Sequence, residues 1–526
     1  MRQENFRTRA KHMKKYALIS VFDKTGIVEL AKVIIKHGYQ IISTGGTAKV
    51  LSENRIPVVP IQEITGNPES FDGRMKTISF EIGSGILFDR ANPSHVKQAK
   101  ELKIKPIDIV VCNLYPFEQK QTIENIDVGG PVMIRAAAKN YKNVLIIVDP
   151  KDYPKISSIL PSIRLFSKIR RELAAKAFTH LSLYDSQVAR YLSTEDFPFE
   201  LTLPGRKLFD LRYGENPHQK AAVYLSPNTN SSFKNLKKLW GRDLSLTNLT
   251  DINAGMESVE MFHEPTAVII KHNNPCGIAL GKTIDEALSL AIEADPESAF
   301  GGVIVLNHEM DLKTAKVIAN FKDERKSNID IVGVPAIDTG ALELLQNTRK
   351  SMGIYTFGEI KNHPPAGGSK IKTFNHKWID GGFIAQTADI DIEKSFKDWK
   401  VVTKKKPTKK QLKQMKIAWK FISRIKSNAI IVIDKNIPMT RGIGSGQTSR
   451  IRSTKIALEQ AGKFAKEGVL TSDSFFPFDD SVKMAAKAGI SAIVQQGGSI
   501  NDKLSIDAAN KAGISMVFTG RRAFWH

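Results

Sequence analysis

Gln40-Ile41-Ile42-Ser43-Thr44-Gly45-Gly46-Thr47 runs an apolar strand into a glycine turn that opens a helix. Upstream, Ala17 to Val21 is strand-like, and Asp23 can cap a helix whose apolar positions Ile27, Leu30, Ala31 and Ile34 share a face before Gly38 stops it. Alternation of this kind predicts an α/β domain with a parallel sheet, whose C-terminal loops gather at one crevice. Glycines between strand and helix let backbone N–H groups approach a phosphate, and the helix N-terminus adds a favourable field. A tight turn without a ligand accounts for Thr44 to Thr47 equally well.

Further loops follow in the same register. Gly73-Arg74-Met75-Lys76-Thr77 offers two cations and a hydroxyl to a phosphate or a developing oxyanion. The strand Ile107 to Val111 opens into Cys112-Asn113-Leu114-Tyr115-Pro116-Phe117, and Asp127-Val128-Gly129-Gly130-Pro131 leads into a helix over Val132 to Asn140, with Pro131 at its first position. Arg135 and Lys139, four apart, share a face of that helix. Leu165 to Ser193 has helical composition without proline, while Pro198, Pro204 and Gly205 punctuate its exit and set a boundary near residue 200.

Beyond it, the apolar run Ala267 to Ile270 ends in Lys271-His272-Asn273-Asn274-Pro275-Cys276-Gly277, an acid/base pair at the tip of a buried strand. Taken alone, the heptapeptide is more often a plain turn with a solvated lysine. Lys426-Ser427-Asn428-Ala429 precedes another apolar run, Ile430 to Ile433. Gly442-Ile443-Gly444-Ser445-Gly446-Gln447 lacks the Gly-x-Gly-x-x-Gly spacing, so a nicotinamide site is rejected. Ala485 to Val494 and Ala509 to Phe518 repeat an αβ phrase around Ala-Gly-Ile-Ser, predicting two neighbouring parallel units.

The chain of 526 residues calls for two to four domains. No run approaches the ~18 apolar residues of a membrane span, which with the basic start Met1 to Lys15 is read as a cytoplasmic protein carrying a short N-terminal tail. Cys112 and Cys276 are too few for a disulfide framework and lack metal-ligand spacing, so no metal site is expected. A net charge of +23 suits anionic small substrates, and with no recognition module beside it a nucleic-acid partner is not expected. The run Lys404-Lys405-Lys406-Pro407-Thr408-Lys409-Lys410 reads as a solvated linker or a helix start.

Residues 16 to 526 resemble the bifunctional purine-biosynthesis family that joins aminoimidazole-carboxamide ribotide (AICAR) formyltransferase to inosinate (IMP) cyclohydrolase. The matching motifs include Ser43 to Lys49, Cys112 to Phe117, Arg135-Ala136-Ala137-Ala138-Lys139-Asn140, Leu211-Arg212-Tyr213-Gly214-Glu215-Asn216-Pro217-His218-Gln219, Ser298-Ala299-Phe300-Gly301-Gly302 and Ser472-Asp473-Ser474-Phe475-Phe476-Pro477-Phe478. The resemblance implies a methylglyoxal-synthase-like cyclohydrolase domain over residues 16 to 200. It also implies a formyltransferase region over 201 to 526, built of two cytidine-deaminase-like α/β units with additional helices. Expected partners are AICAR, formyl-AICAR and 10-formyltetrahydrofolate, with a homodimer as the assembly and potassium beside Asp473.

For ring closure, Lys76, Tyr115 and Asp127 have suitable chemistry, and the resemblance gives Lys139 the main acid/base role. It lines the nucleotide site with Lys24, Thr44, Gly45, Gly46, Thr47, Arg74, Lys76, Thr77, Cys112, Asn113, Asp127 and Val128. For formyl transfer, His272 has the pKa of a base, Lys271 can supply a cation or proton, and Asn428 can orient the histidine or donate to the oxyanion. The resemblance adds Arg212, Tyr213, Asn248, Gly301, Asp330 and Arg450 on AICAR, His526 as a further substrate contact, and Ile451, Phe475, Asp480, Ser499, Ile500 and Arg522 on the folate. The chain departs from the family at Phe22, where a phosphate-contacting serine is usual, at Ile78-Ser79-Phe80, where Leu-His-Pro is usual, and at Gly83, where a histidine is usual. An alternative is therefore a monofunctional formyltransferase with a degenerate N-terminal nucleotide-binding domain.

Overall fold

Strands β1 (Lys15–Val21), β2 (Tyr39–Ser43), β3 (Val58–Pro60), β4 (Ile107–Asn113) and β5 (Leu145–Ile147) form one parallel sheet in the order β3-β2-β1-β4-β5. The strands β1, β2, β4 and β5 are apolar and largely buried, as a sheet covered by helices requires, while the edge strand β3 is only half-buried. The computed structural model describes residues 14–71, 74–165, 167–227, 229–321, 329–360, 374–389 and 392–526. The expected tail, apart from its last two residues, and Gly73 lie outside them. Helices α1 (Ile27–Lys36) and α2 (Gly45–Glu53) follow β1 and β2. Further on come α3 (Phe80–Leu87), α4 (Gly129–Lys139) and the long α5 (Ser167–Leu192). Helix α4 starts three residues earlier than its sequence suggests, because the Asp127 carboxylate accepts the Gly130 N–H and holds the glycines in the first turn. Ser79, a departure from the family pattern, caps α3 by accepting the Ile82 N–H at 3.1 Å.

The chain divides into two compact units, one running to Arg206 with the segment 226–228, the other comprising Lys207 to Leu225 and Thr229 to His526. The second unit contains two six-stranded sheets. The first uses β6 (Lys237–Trp240), β7 (Thr266–Lys271), β8 (Asn274–Leu280), β9 (Val303–Leu306), β10 (Ile331–Val334) and β11 (Gly353–Thr356), in the order β8-β7-β9-β10-β11-β6. The second uses β12 (Lys400–Val401), β13 (Ile430–Ile433), β14 (Thr440–Gly444), β15 (Val469–Ser472), β16 (Ala492–Gln495) and β17 (Ser515–Phe518), in the order β14-β13-β15-β16-β17-β12. In both, a hairpin is joined antiparallel to three mutually parallel strands, and an antiparallel strand closes the far edge.

The correspondence extends to single residues. Helices α6 (Leu246–Val259) and α8 (Lys409–Ile422) precede the hairpins, and both open with capping boxes, Ser245 with Asn248 and Thr408 with Gln411. Helices α7 (Ile284–Ala294) and α9 (Arg450–Ala461) follow them. Gly277 of β8 and Gly442 of β14 face those helices so closely that a Cβ would stand 2.1 Å from the Ala291 carbonyl oxygen and 1.9 Å from that of Ala457. Two copies of one αβ unit share a core, in which Ile252, Met256 and Val259 of α6 meet Met415, Trp419 and Phe421 of α8. Burial of each large side chain there stabilises the pair by roughly 1.5–3 kcal/mol.

Glu260, just past α6, carries a cost in this core. Burial raises its carboxyl to about 7, with Arg424 opposing the shift. The folded chain therefore keeps a proton that the unfolded chain releases near pH 4.5, and stability falls as pH rises through this window. Glu260→Gln should accordingly melt higher than the parent at pH 8, with the gap closing toward pH 4.5. A pH-independent gap in the melting curves would contradict this.

Candidate active sites

In the first sheet the connections leave β1 in opposite directions, toward β2 on one side and β4 on the other, which opens a crevice at their carboxyl ends. Asn113, at the end of β4, spans it. Its Oδ1 accepts the N–H groups of Phe22 (2.7 Å) and Asp23 (2.9 Å), and its Nδ2 donates to the Asp23 carbonyl. Thr47 donates to the Val21 carbonyl and accepts the Val21 N–H. Asn113 and Thr47 thus shape the loops and are already occupied by backbone.

The free groups stand around two helix N-termini. Thr44 makes no side-chain cap, so the first N–H groups of α2 stay open at exposed Gly45 and Gly46. A Cβ on Gly45 would lie 3.7 Å from Lys76 Nζ, and one on Gly46 would lie 3.7 Å from Lys24 Cε and 3.9 Å from its Nζ. Two ammonium groups over a helix N-terminus form a binding place for a dianion. Lys24 also donates to the Phe22 carbonyl at 3.0 Å, and Lys76 pairs with Glu69 at 2.6 Å.

The neighbouring residue Thr77 reaches the other helix: its Oγ1 lies 2.5 Å from where a Gly129 Cβ would stand. Here at the start of α4 sits Asp127, whose N–H donates to the Tyr184 hydroxyl and whose carboxyl is raised by burial, against the effect of the Gly130 N–H. Cys112 is buried beside it with its thiol pushed up by burial, which excludes it as a nucleophile. Tyr115 is half exposed, and its ring packs on that of Phe22 at 5.2 Å between centroids. The bulky departure thus stacks on a site residue instead of filling the anion place, while its N–H remains engaged by Asn113. Arg74 pairs on the surface with Glu124, and exposed Val128 precedes α4.

Lys139 is not brought here. It ends α4, eleven residues long, of which Gly129 marks the crevice end, and helical rise separates the two by ~15 Å. The adjacent Asn140 donates instead to Ile86 and Phe88 at the far end of α3.

In the second unit, the turn between β7 and β8 is a two-residue hairpin. His272 and Asn273 have φ of +56° and +60°, the left-handed geometry that such a hairpin needs and that histidine rarely adopts. Asn274 and Pro275, expected in the turn, are already in the returning strand. The His272 side chain is exposed, while Lys271 donates to the Phe300 carbonyl at 2.8 Å, next to Gly301. Asp330 donates its N–H to Gly302 and pairs with Arg242 at 2.9 Å, so it shares this sheet edge.

Two contacts draw the second copy toward this edge. The Lys426 N–H donates to Asn274 Oδ1 at 3.0 Å, which brings Lys426-Ser427-Asn428 beside the hairpin. Arg450 then donates to Asn428 Oδ1 at 2.8 Å and to Ser472 Oγ, and pairs with fully buried Asp473. Asn428 Nδ2 donates to the Gln447 carbonyl at 2.9 Å. With one lone pair of its oxygen and one N–H taken, Asn428 keeps one N–H and one acceptor position.

Arg212 stacks on and donates to Tyr213, whose carbonyl accepts the Leu246 N–H at the start of α6. Asn248 spends its Oδ1 on the capping box with Ser245, which leaves its Nδ2 outside the cap. Phe475 and Asp480 follow β15, Ser499 and Ile500 follow β16, and Arg522 follows β17, so all five occupy the carboxyl edge of parallel strands. Asn501 ties two of these loops by donating to the Pro477 carbonyl at 2.9 Å. Ile500 is fully exposed, and Ile451 opens α9 beside Arg450. The C-terminus returns to the same place, with Ser427 donating to the Trp525 carbonyl and the Phe524 ring 5.4 Å from that of His526.

Sequence reasoning missed Asp251. From α6 it accepts the Asn273 N–H at 2.7 Å, and burial raises its carboxyl although the N–H groups of Asn273 and His272 act against the shift. Nothing in its sequence neighbourhood marks it; only the match between the two copies does.

Comparison with known proteins agrees with this arrangement. A family described as AICARFT/IMPCHase bienzyme matches residues 137–460, and an MGS-like domain matches residues 26–146. Curated relatives called bifunctional purine biosynthesis protein PurH match end to end. That of Thermoanaerobacter sp. strain X514 is 46% identical over 531 residues, covering 98% of this chain and 100% of the relative. That of Acetivibrio thermocellus is 45% identical over 529 residues, and that of Halalkalibacterium halodurans 43% over 529, each with the same coverages. With both catalytic portions represented and the whole length matched, the chain belongs to the AICARFT/IMPCHase bienzyme family.

Proposed function

We propose that the two reactions of this bifunctional purine-biosynthesis enzyme are divided between the two sites, with cyclohydrolase work in residues 16–200 and formyl transfer in 201–526. AICAR formyltransferase and IMP cyclohydrolase are the activities of the family to which the chain belongs. What supports the division is that the glycine crevice belongs to the first unit, whereas Lys271, His272 and Asn428 belong to the second, where the Lys426 N–H bond to Asn274 and the Arg450 bond to Asn428 set them.

In formyl transfer the 5-amino nitrogen of AICAR attacks the formyl carbon, and the folate nitrogen leaves. His272 takes the amine proton, the free Asn428 N–H steadies the tetrahedral oxyanion, and Lys271 delivers a proton to the leaving nitrogen. Arg212, Tyr213, Gly301, Asp330 and Arg450 hold AICAR, with His526 beside them. Ile451, Phe475, Asp480, Ser499, Ile500 and Arg522 hold the folate, whose pterin an exposed apolar rim would suit. Asn248 acts by fixing the start of α6.

In cyclisation the carboxamide nitrogen closes on the formyl carbon, and water leaves. Lys24, Lys76 and the α2 N-terminus take the phosphate, while Asp127, Thr77 and Tyr115 surround the closing ring. Asp127, at the crevice end of α4, is the proton-transfer group of this reading, whereas Lys139 stands at the other end of that helix. Potassium is not part of this reading: the Asp473 carboxylate is engaged by Arg450, Ser427 and the Ala429 N–H, a donor set that does not fit a cation. Among the described residues no helix is long and apolar enough to cross a membrane, and a cytoplasmic homodimer completes the proposal.

The test is a time course with AICAR and 10-formyltetrahydrofolate in which formyl-AICAR and IMP are separated by chromatography. IMP is expected to form without lasting accumulation of formyl-AICAR. Accumulation of formyl-AICAR with no IMP would select the monofunctional alternative.

A further inference from the structure

We propose that Asp251 is a positioning residue for formyl transfer, its buried carboxylate clamping the His272–Asn273 turn and so fixing where the imidazole stands. The inference rests on His272 acting in that reaction. Both residues of the turn have positive φ, so their N–H groups need a dedicated acceptor to hold a conformation unfavourable to histidine. Asp251 supplies it: Oδ1 accepts the Asn273 N–H at 2.7 Å, directly after His272. With its amide nitrogen turned inward, the two N–H groups of Asn273 are shared among Asp251 Oδ1 at 3.1 Å, the Thr250 carbonyl at 3.2 Å and the Thr250 hydroxyl at 3.0 Å. The turn is thus held to α6 by both the backbone and the side chain of Asn273.

The duplicated unit supplies an internal comparison. Ile270 pairs with Val303 as Ile433 pairs with Val469, so Asp434 and Lys435 stand where Lys271 and His272 stand in the first copy. Asp251 is the sixth residue of α6, and Gln414 is the sixth residue of α8. Gln414 also reaches the end of its hairpin strand, but with the opposite polarity: its Nε2 donates to the Asp434 and Ile437 carbonyls at 2.7 and 2.9 Å. One helix position thus braces the hairpin in both copies. Only in the copy carrying His272 does it hold an anion that gathers N–H groups, and only there are the turn residues left-handed. A brace needed for folding alone would be served by either polarity.

The experiment compares full-length Asp251→Ala, Asp251→Glu, Gln414→Ala and His272→Ala, measuring kcat and KM for formyl transfer, cyclisation of supplied formyl-AICAR, and Tm. Alanine removes the acceptor, and displacing the turn by about an ångström should lower the Asp251→Ala kcat by about 10²-fold. Its KM for AICAR and for the folate should stay within about 3-fold, since substrate contacts are intact, and cyclisation should be unchanged. Asp251→Glu, which keeps the acceptor oxygens, should recover part of the kcat. Gln414→Ala should lower Tm while keeping the parental kcat. Parental kcat in Asp251→Ala, no recovery in folded Asp251→Glu, or an equal kcat loss in Gln414→Ala would each overturn the positioning role. Parental formyl transfer in His272→Ala would instead remove the underlying reading, and the inference with it.

Discussion

His272→Ala is expected to lower formyl transfer by about 10²–10⁴-fold, the span associated with losing a positioned general base, while cyclisation of supplied formyl-AICAR continues at the parental rate. The weakly nucleophilic amine of AICAR must lose a proton as it attacks, and an imidazole is the side chain whose ordinary pKa suits that exchange near neutrality. His272 is exposed at the tip of a hairpin whose left-handed backbone is held from beneath, so its substitution removes chemistry and few contacts. Alanine at φ of +56° remains strained, yet the change leaves the Asn273 and Asn274 bonds that secure the hairpin. Separate assays with AICAR plus folate and with formyl-AICAR alone provide the check. If both activities fell together in a protein with a parental melting curve, the two sites would not be independent.

What the chain disclosed in advance follows the range of its interactions. The strand-to-helix phrases at Ala17–Gly38 and Gln40–Thr47 are local, and β1 and β2 form on their apolar runs, but Asp23 does not cap α1: its carboxylate accepts the Thr25 N–H in the turn, and the helix starts after Gly26. The hairpin was harder to read. Asn274-Pro275 has turn composition, but β8 is the edge strand of its sheet, where a missing N–H costs no ladder bond, so proline is admitted and the turn contracts to His272-Asn273. Lys139 is carried by the family motif Arg135 to Asn140, and the motif alone does not show that the length of α4 lies between it and Gly129. The duplication was only half legible. The Ala-Gly-Ile-Ser phrases reveal repeated parallel strands within the second copy, whereas the equivalence of Gly277 with Gly442 and of Asp251 with Gln414 emerges only from strand register and helix position. Asn113, Asn248 and Asn428 were recognisable as polar residues in the right loops, but not their division of labour. Asn113 expends its amide on backbone, Asn248 gives its oxygen to a cap, and Asn428 keeps one N–H unused by these bonds.

Asp127→Asn is expected to cost cyclisation about 10²–10⁴-fold and to leave formyl transfer unchanged. Segment Lys76-Thr77 is the reason to select this carboxylate. Lys76 Nζ reaches the N-terminus of α2 while Thr77 Oγ1 abuts that of α4, so a nucleotide whose phosphate sits at the first has its base carried toward the second, where Asp127 stands. Burial raises the Asp127 carboxyl above the ordinary carboxylate range. An ionised Asp127 can take the carboxamide proton as nitrogen attacks the formyl carbon, and a raised pKa makes it a stronger base than an exposed aspartate. Because the ionised form acts, kcat/KM for cyclisation should climb with pH through that raised pKa and then level off. Asparagine keeps the shape and an oxygen that can still accept the Gly130 N–H, so α4 should keep its start, but it cannot take a proton, and the climb should disappear. A parental rate in Asp127→Asn, or an unaltered acidic limb, would dismiss the carboxylate from the reaction. Lys139, a helix length away, could affect that limb only through the fold, and such an effect would accompany a change in Tm rather than a change in the profile's shape.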